Sequence, residues 1–201
     1  MMEILSKTEY NIEQFNALIR SRRSVFVDQF VPGKSIPDDI IWQILENANW
    51  APNHKHTEPW RFSVFTGQGL QKFADFQANM YRKLSGEKYK EEKWLKLQRT
   101  PLLCSHIIAL GLKRSPETTI PEMEELAAVA CAVQNIYLST TAYGIGGYWS
   151  TGGVTYMEEA KSFYGLGDRD KLMGFFYLGV IQTPSPKAKR GPIIEKTTWV
   201  Q

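Results

Sequence analysis

Cysteine is scarce in this 201-residue chain, with only Cys104 and Cys131. Neither sits in a CxxC pair or beside a histidine at ligand spacing, which counts against a disulfide scaffold and a structural zinc site. Both lie in apolar stretches, so both are expected to be buried free thiols. Histidine is nearly as sparse, with three. His54 and His56 have a spacing that suits a metal, but no carboxylate or cysteine cluster accompanies them, and no metal is expected. No run approaches the ~20 apolar residues of a membrane span, and the start MMEILSKTEYNIEQF has no apolar signal core. A cytoplasmic protein with no membrane partner is therefore expected. A net charge of +3 is too small for a general polyanion binder, and no nucleic acid partner is expected. Internal repeats, a P-loop, a GxGxxG after a strand and a GxSxG are all missing, which counts against solenoids, dinucleotide Rossmann domains and serine hydrolases.

What is present is a chain with 43% hydrophobic residues, enough for one sizeable core and a single domain over 1–201. It is organised around Thr118 to Gly153. Thr119 and Glu122 have capping-box spacing with Pro121 in the first turn, and predict a helix start. From Leu126 to Ala142 small and apolar residues cover nearly the whole circumference. Such a helix is buried, and its small side chains suit a core that continues into a subunit interface. Gly144 can end it in a left-handed conformation. Gly146, Gly147, Gly152 and Gly153 then flank Tyr148, Trp149, Ser150 and Thr151, which reads two ways: a glycine-rich turn into a strand, or open amides beside aromatic faces for a flat anionic ligand.

Asn11 can cap a first helix that ends at Arg20-Ser21-Arg22-Arg23-Ser24. Three arginines in four residues suit phosphate, and equally suit a helix C-terminus. Ser35 and Asp38 mark a second helix start, and Ala51 to Trp60 is a loop between prolines. Trp60, Phe62 and Val64 predict a strand with one face in the core. Residues 77–99 carry few apolar anchors and much charge, giving a possible lid; the basic part from 82 is a solvated face or a polyanion surface. Leu102 to Leu112 predicts a buried strand in which His106 is structural. Thr155 and Glu158 predict a short helix that Gly165 ends, and Leu172 to Ile181 a last buried strand. The extension 183–201 ends in Ile193, Ile194, Trp199 and Val200, which need a burial site; a partner subunit offers one.

In combination and in order, Arg22-Arg23-Ser24, Ala51-Pro52-Asn53-His54-Lys55 with Pro59-Trp60-Arg61-Phe62, Tyr143-Gly144-Ile145-Gly146-Gly147-Tyr148-Trp149, and Phe176-Tyr177-Leu178-Gly179 resemble the FMN-dependent nitroreductase family, closest to its short bacterial branch. The resemblance implies an α+β fold, with a central, mostly antiparallel sheet wrapped by helices, in an intertwined homodimer with FMN at the interface. By position it implies Arg22 and Ser24 on the phosphate, Arg23 near the ribityl chain or ring, and Lys189 and Arg190 completing the phosphate site. It places Trp50 and His54 against the flavin of the other subunit, and Tyr148, Trp149 and Ser150 along one side of the ring. Phe26 stands where many members have a basic residue, and His56 and Glu58 replace a frequent Asn and Gln. No side chain is required as a catalytic nucleophile, because the flavin carries the redox step. The implied activity is NADH- or NADPH-dependent reduction of nitroaromatic, quinone or related small electron-poor acceptors by ping-pong hydride transfer. The alternatives are a specialised flavin reaction such as reductive dehalogenation, or a non-enzymatic flavin-binding protein.

Overall fold

The computed structural model describes residues 10–116 and 119–201, so Thr118 at the head of the organising stretch lies outside the described residues. In chain order the elements are α1 (Ile12–Ser21), α2 (Asp38–Asn49), β1 (Trp60–Thr66), α3 (Gln68–Leu84), α4 (Glu91–Arg99), β2 (His106–Leu112), α5 (Glu122–Ala142), β3 (Ile145–Ser150) and β4 (Lys171–Val180). The strands pair antiparallel in the order β1-β2-β4-β3. Helices cover both faces of this sheet, which makes the fold α+β, as the resemblance implies.

β2 shows how the layers arise. Successive side chains of a strand point to opposite faces. Ile108, Leu110 and Leu112 meet α2 and α5 through Ile44, Ala48, Val129, Ala132 and Ile136. Ile107 and Ala109 turn the other way, into the cluster of Leu70 and Phe73 from α3 with Val25, Val27, Phe30 and Tyr164. With both faces covered, all of β2 is buried and its sequence loses the polar alternation of a one-sided strand. The apolar run is nevertheless not all strand. Thr100–Leu103 form a 3₁₀ turn around Pro101, Leu102 and Leu103 are exposed, and pairing begins at His106. His106 is structural as expected: its Nδ1 lies 2.8 Å from Ser105 Oγ and its Nε2 2.9 Å from Asp38 Oδ1, which ties the starts of β2 and α2 together.

Asn11 caps α1, its Oδ1 accepting the Gln14 N–H at 3.0 Å. The other expected caps do not form. Pro37 and Pro121 occupy the N-cap positions of α2 and α5, and no side chain caps either helix. Ser35 Oγ donates instead to the Ile36 carbonyl. Carboxylates fill the first turns, Asp38 and Asp39 in α2 and Glu122, Glu124 and Glu125 in α5, where they complement the helix dipole. Thr155 donates to the Gly152 carbonyl, and the expected short helix is a 3₁₀ turn, Glu158–Tyr164, entered from Met157. Gly144 (φ +68°) and Gly165 (φ +71°) end their helices in the left-handed region as expected.

Three burial expectations are corrected. α5 buries Ala128, Val129, Ala132, Val133 and Ile136, but Ala127, Ala130, Cys131 and Gln134 form an exposed stripe in the single chain. Cys104 alone is a buried thiol. An apolar count around a helix does not reveal which face the same chain covers. Val64 is 40% exposed: β1 is an edge strand, and Val64 lines an open cavity of about 190 Å³ with Ile41, Trp42 and Leu45 of α2 instead of packing on them.

Gly174 sits at φ +115°, and a Cβ there would stand 2.4 Å from the Ser150 carbonyl oxygen. Gly33 also has positive φ, +70°, but opens onto space. Gly174→Ala is expected to cost about 3 kcal/mol or more of unfolding free energy, from strain plus a backbone clash, against roughly 1–2 kcal/mol for Gly33→Ala. Urea unfolding of the two variants measures the difference.

Candidate functional site

The segment after α1 runs beside the sheet edge. The Val25 N–H donates to the Gly147 carbonyl at 3.1 Å, and Phe30 bridges to Ile181. Phe30 packs directly on the backbone of β3 and β4 because the positions beneath it are glycines. A Cβ would come within 2.3 Å of its ring at Gly179 and 2.8 Å at Gly146. That seating brings Arg22 and Ser24 against the last turns of α5. The Arg22 guanidinium lies 4.7 Å from the centre of the Tyr137 ring, and Ser24 Oγ lies 3.3 Å from the Tyr137 hydroxyl. The Trp149 N–H donates to the same hydroxyl at 2.7 Å.

Arg23 is differently employed. Its Nε donates to the Pro186 carbonyl at 3.2 Å, and its Nη1 to the carbonyls of Arg20 and Arg22 at 2.7 and 2.8 Å. Ser185 Oγ also donates to the Ser24 carbonyl at 2.8 Å, so the chain beyond β4 is tied to the arginine segment at two points. Ala188 and Arg190 thereby join Ile19, Arg20, Arg22, Arg23 and Gln134 around a cleft of about 490 Å³. No carboxylate lines it. Several guanidinium groups without a carboxylate partner make an anion site, and their planar forks suit phosphoryl oxygens. Lys189 is exposed and absent from the wall; its carbonyl accepts a bond from Arg190.

A second cleft, of about 380 Å³, opens where β3 ends. Tyr148, Ser150, Gly152, Gly153 and Tyr177 line the sheet side, and Gln77, Lys93, Lys96, Leu97 and Thr100 line the helical side. Tyr148 stacks on Tyr177 with ring centres 5.0 Å apart and touches Phe26 at 4.9 Å, linking this cleft to the arginine segment. Gln77 is buried in α3, and its Nε2 donates to the Leu97 carbonyl at 2.8 Å. The Trp149 side chain does not share this wall. Strand alternation turns it to the opposite face, where it packs on the α2 and α5 core and its Nε1 donates to the Met173 carbonyl.

Trp50 and His54 lie elsewhere in the single chain. Trp50 is 80% exposed, its Nε1 donating to Glu46, and His54 Nδ1 lies 2.5 Å from Glu124 Oε2 near the start of α5. Gln134 of the arginine cleft is ten residues further along α5, about 15 Å at the helical rise. The loop carrying His54 is strained, with φ of +51°, +53° and +42° at Lys55, His56 and Glu58. Such backbone persists where contacts over-determine it. Here Asn53 Oδ1 accepts the Glu58 N–H, and Arg61 donates to the Glu58 carbonyl. Among the described residues no three metal-ligating side chains gather, and no helix is long and apolar enough to cross a membrane.

Gln77, Lys93 and Lys96 enter the second cleft, and Tyr137 meets Arg22 and Ser24, without having been singled out from sequence, whereas Arg20 belongs to the arginine run. A signal existed for Gln77 alone, a polar residue in the otherwise apolar series Phe73, Ala74, Ala78 and Tyr81.

A family model described as the nitroreductase family matches residues 19–180. The chain belongs to the nitroreductase family. YfhC of Bacillus subtilis (strain 168), provisionally named an NAD(P)H nitroreductase, is 31% identical over 186 residues, covering 90% of this chain and 91% of that protein. The crystal structure of a nitroreductase-like family protein from Bacillus cereus superposes with a TM-score of 0.80 at 28% identity, covering 98% of this chain and 100% of that one. A provisionally named nitroreductase from Desulfovibrio desulfuricans, solved in complex with FMN, shares the fold with a TM-score of 0.70 at 22% identity, over 96% of this chain and 99% of that one. A general oxidoreductase activity follows from this membership.

Burial pushes the Cys104 thiol from its ordinary 9.0 up to about 12. It also pushes the Tyr148 phenol from 10.0 up to about 12, with smaller contributions from Cys104, Asp28 and Tyr137. The folded chain therefore holds these protons where the unfolded chain has shed them, and that stabilisation is lost as pH rises through the folded values. Urea midpoints are expected to hold steady up to about pH 9 and then to fall, with a smaller fall between pH 9 and 10 in Cys104→Ala.

Proposed function

We propose that this chain is an NAD(P)H-dependent FMN oxidoreductase that reduces nitroaromatic, quinone or related electron-poor acceptors by ping-pong hydride transfer. The observation that carries this reading is the carboxylate-free arginine cleft, joined through Phe26 and Tyr148 to a cleft floored by stacked tyrosines and paired glycines. Its donors fit a flavin monophosphate. Arg22 and Arg190 of the wall would receive the phosphate together with Ser24, two residues beyond Arg22, with Arg20 adding charge and Arg23 holding the wall rather than the ligand. Tyr148, Ser150, Gly152 and Gly153 would flank the ring, and the Trp149 backbone would border it, its indole facing away.

When bound, FMN would supply two-electron redox chemistry between a nicotinamide donor and the acceptor. The chain's residues bind, orient and shield. Lys93 and Lys96 put positive charge beside the ring cleft, in a protein whose Phe26 carries none. Negative charge that builds up in the site on reduction is favoured by nearby cations. Residues 82–100 contain no buried side chain, whereas Gln77, Ala78 and Tyr81 are buried, so the lid proper consists of the α4 part of 77–99, whose opening would release the Gln77 bond to the Leu97 carbonyl while α3 keeps its core contacts. Cytoplasmic reducing conditions suit the two free thiols.

The working unit in this reading is a homodimer. The exposed stripe on α5 continues onto α1, whose Ile12, Phe15 and Ile19 are 57%, 53% and 42% exposed, and the chain extension 183–201 leaves Ile193, Ile194, Trp199 and Val200 uncovered. An apolar surface of that extent marks an interface. A two-fold partner would also carry a second Trp50 and His54 to the clefts that one chain leaves without them.

Two measurements test these statements. The purified protein is expected to be yellow and to bleach anaerobically on addition of NADH or NADPH. A colourless protein that takes up no added FMN would overturn the reading. Cys131 is expected to react slowly with a thiol reagent at high protein concentration and faster on dilution, as its helix face is uncovered. Fast labelling of Cys131 that does not vary with concentration, in flavin-loaded protein, would remove the shared interface.

A further inference from the structure

We propose that Tyr137 is the positioning residue that makes the arginine cleft selective for a phosphorylated flavin over riboflavin. This rests on the FMN reading above and goes beyond it, since Tyr137 carries no charge and belongs to none of the sequence motifs.

Tyr137 is held on three sides. Its ring meets Phe176 edge-on at 4.7 Å between centres, its carbonyl accepts the hydroxyls of Thr140 and Thr141, and its own hydroxyl accepts the Trp149 N–H at 2.7 Å. Two contacts then run toward the cleft. The ring face carries the Arg22 guanidinium at 4.7 Å, and the hydroxyl lies 3.3 Å from Ser24 Oγ. A cation over an aromatic face is restrained in position while its edge donors stay available, so Arg22 is aimed without being consumed. The same economy applies to Ser24. The Tyr137 oxygen already accepts the Trp149 N–H, so in the proposed arrangement the phenol donates its own O–H to Ser24 Oγ. The serine O–H is then free to donate to an anionic oxygen. Arg23 offers the contrast: its donors are spent on three backbone carbonyls. Gln134, one turn before Tyr137 on α5, lines the cleft wall.

Apo protein titrated with FMN and, separately, with riboflavin tests the proposal. The wild type is expected to bind FMN far more tightly than riboflavin. Tyr137→Phe keeps the ring and removes the hydroxyl, so FMN affinity is expected to fall about three- to ten-fold while riboflavin affinity stays level. Tyr137→Leu also removes the ring beneath Arg22 and is expected to lower FMN affinity by about a further five-fold, again sparing riboflavin. Ser24→Ala is expected to match Tyr137→Phe, and the Ser24→Ala/Tyr137→Phe double variant to lose no more than either single one, because the two act in series. Equal losses for FMN and riboflavin would show that Tyr137 only supports the fold and would overturn the proposal, as would unchanged FMN affinity in both Tyr137 variants. A wild type that binds both flavins equally removes the phosphate role, and one that binds neither removes the flavin reading itself, so the two failures are told apart by the wild-type titrations.

Discussion

The seat of Phe30 on bare backbone is the constraint from which the site follows. A ring can pack directly on strand backbone only where no side chain rises beneath it, and β3 and β4 meet that condition at Gly146 and Gly179. With Phe30 seated and Val25 paired to Gly147, the chain between α1 and α2 becomes an additional rim to the sheet. Arg22, Ser24 and Phe26 have no freedom to lie anywhere but along β3 and the end of α5. Basic and aromatic residues far apart in sequence thus meet because glycine cleared the space between them.

This explains which parts of the molecule were legible in advance. The layering was readable because α1, α2 and α3 show helical periodicity and the two central strands are unbroken apolar runs, and left-handed stops at Gly144 and Gly165 announce themselves by residue type. Capping was less readable, since the serine and threonine signals at Ser35, Thr119 and Thr155 compete with prolines and first-turn carboxylates that do the same electrostatic work. The arginine run and the glycine-rich loop were visible as chemistry without an address. Their junction at Tyr137 was not visible, because a tyrosine on a mostly apolar helix gives no sign that its hydroxyl faces a serine 113 positions away.

α5 shows a different limit. Its Ala-rich circumference is consistent with burial on every side, yet one chain covers only one face. Sequence records that a surface is apolar, not whether the same chain or another molecule covers it. The exposed faces of α1 and α5 and the extension beyond β4 share that property, and all three border the arginine cleft or lead to it. Assembly and ligand capture would then draw on the same surface, so that each strengthens the other by mass action.

The bonds of Arg23 carry a consequence for how the chain's last segment is laid down. A guanidinium stays charged across the whole physiological pH range, and its donors are fixed in one plane. By gripping the carbonyls of Arg20, Arg22 and Pro186 together, it acts as a hook that no change of protonation releases. The route past Ala188 and Arg190 is therefore set by the backbone at the end of α1, within the single chain. Drift of residues 186–190 would amount to drift of the cleft wall itself. The extension is, in that sense, masonry up to Arg190 and scaffolding only beyond it.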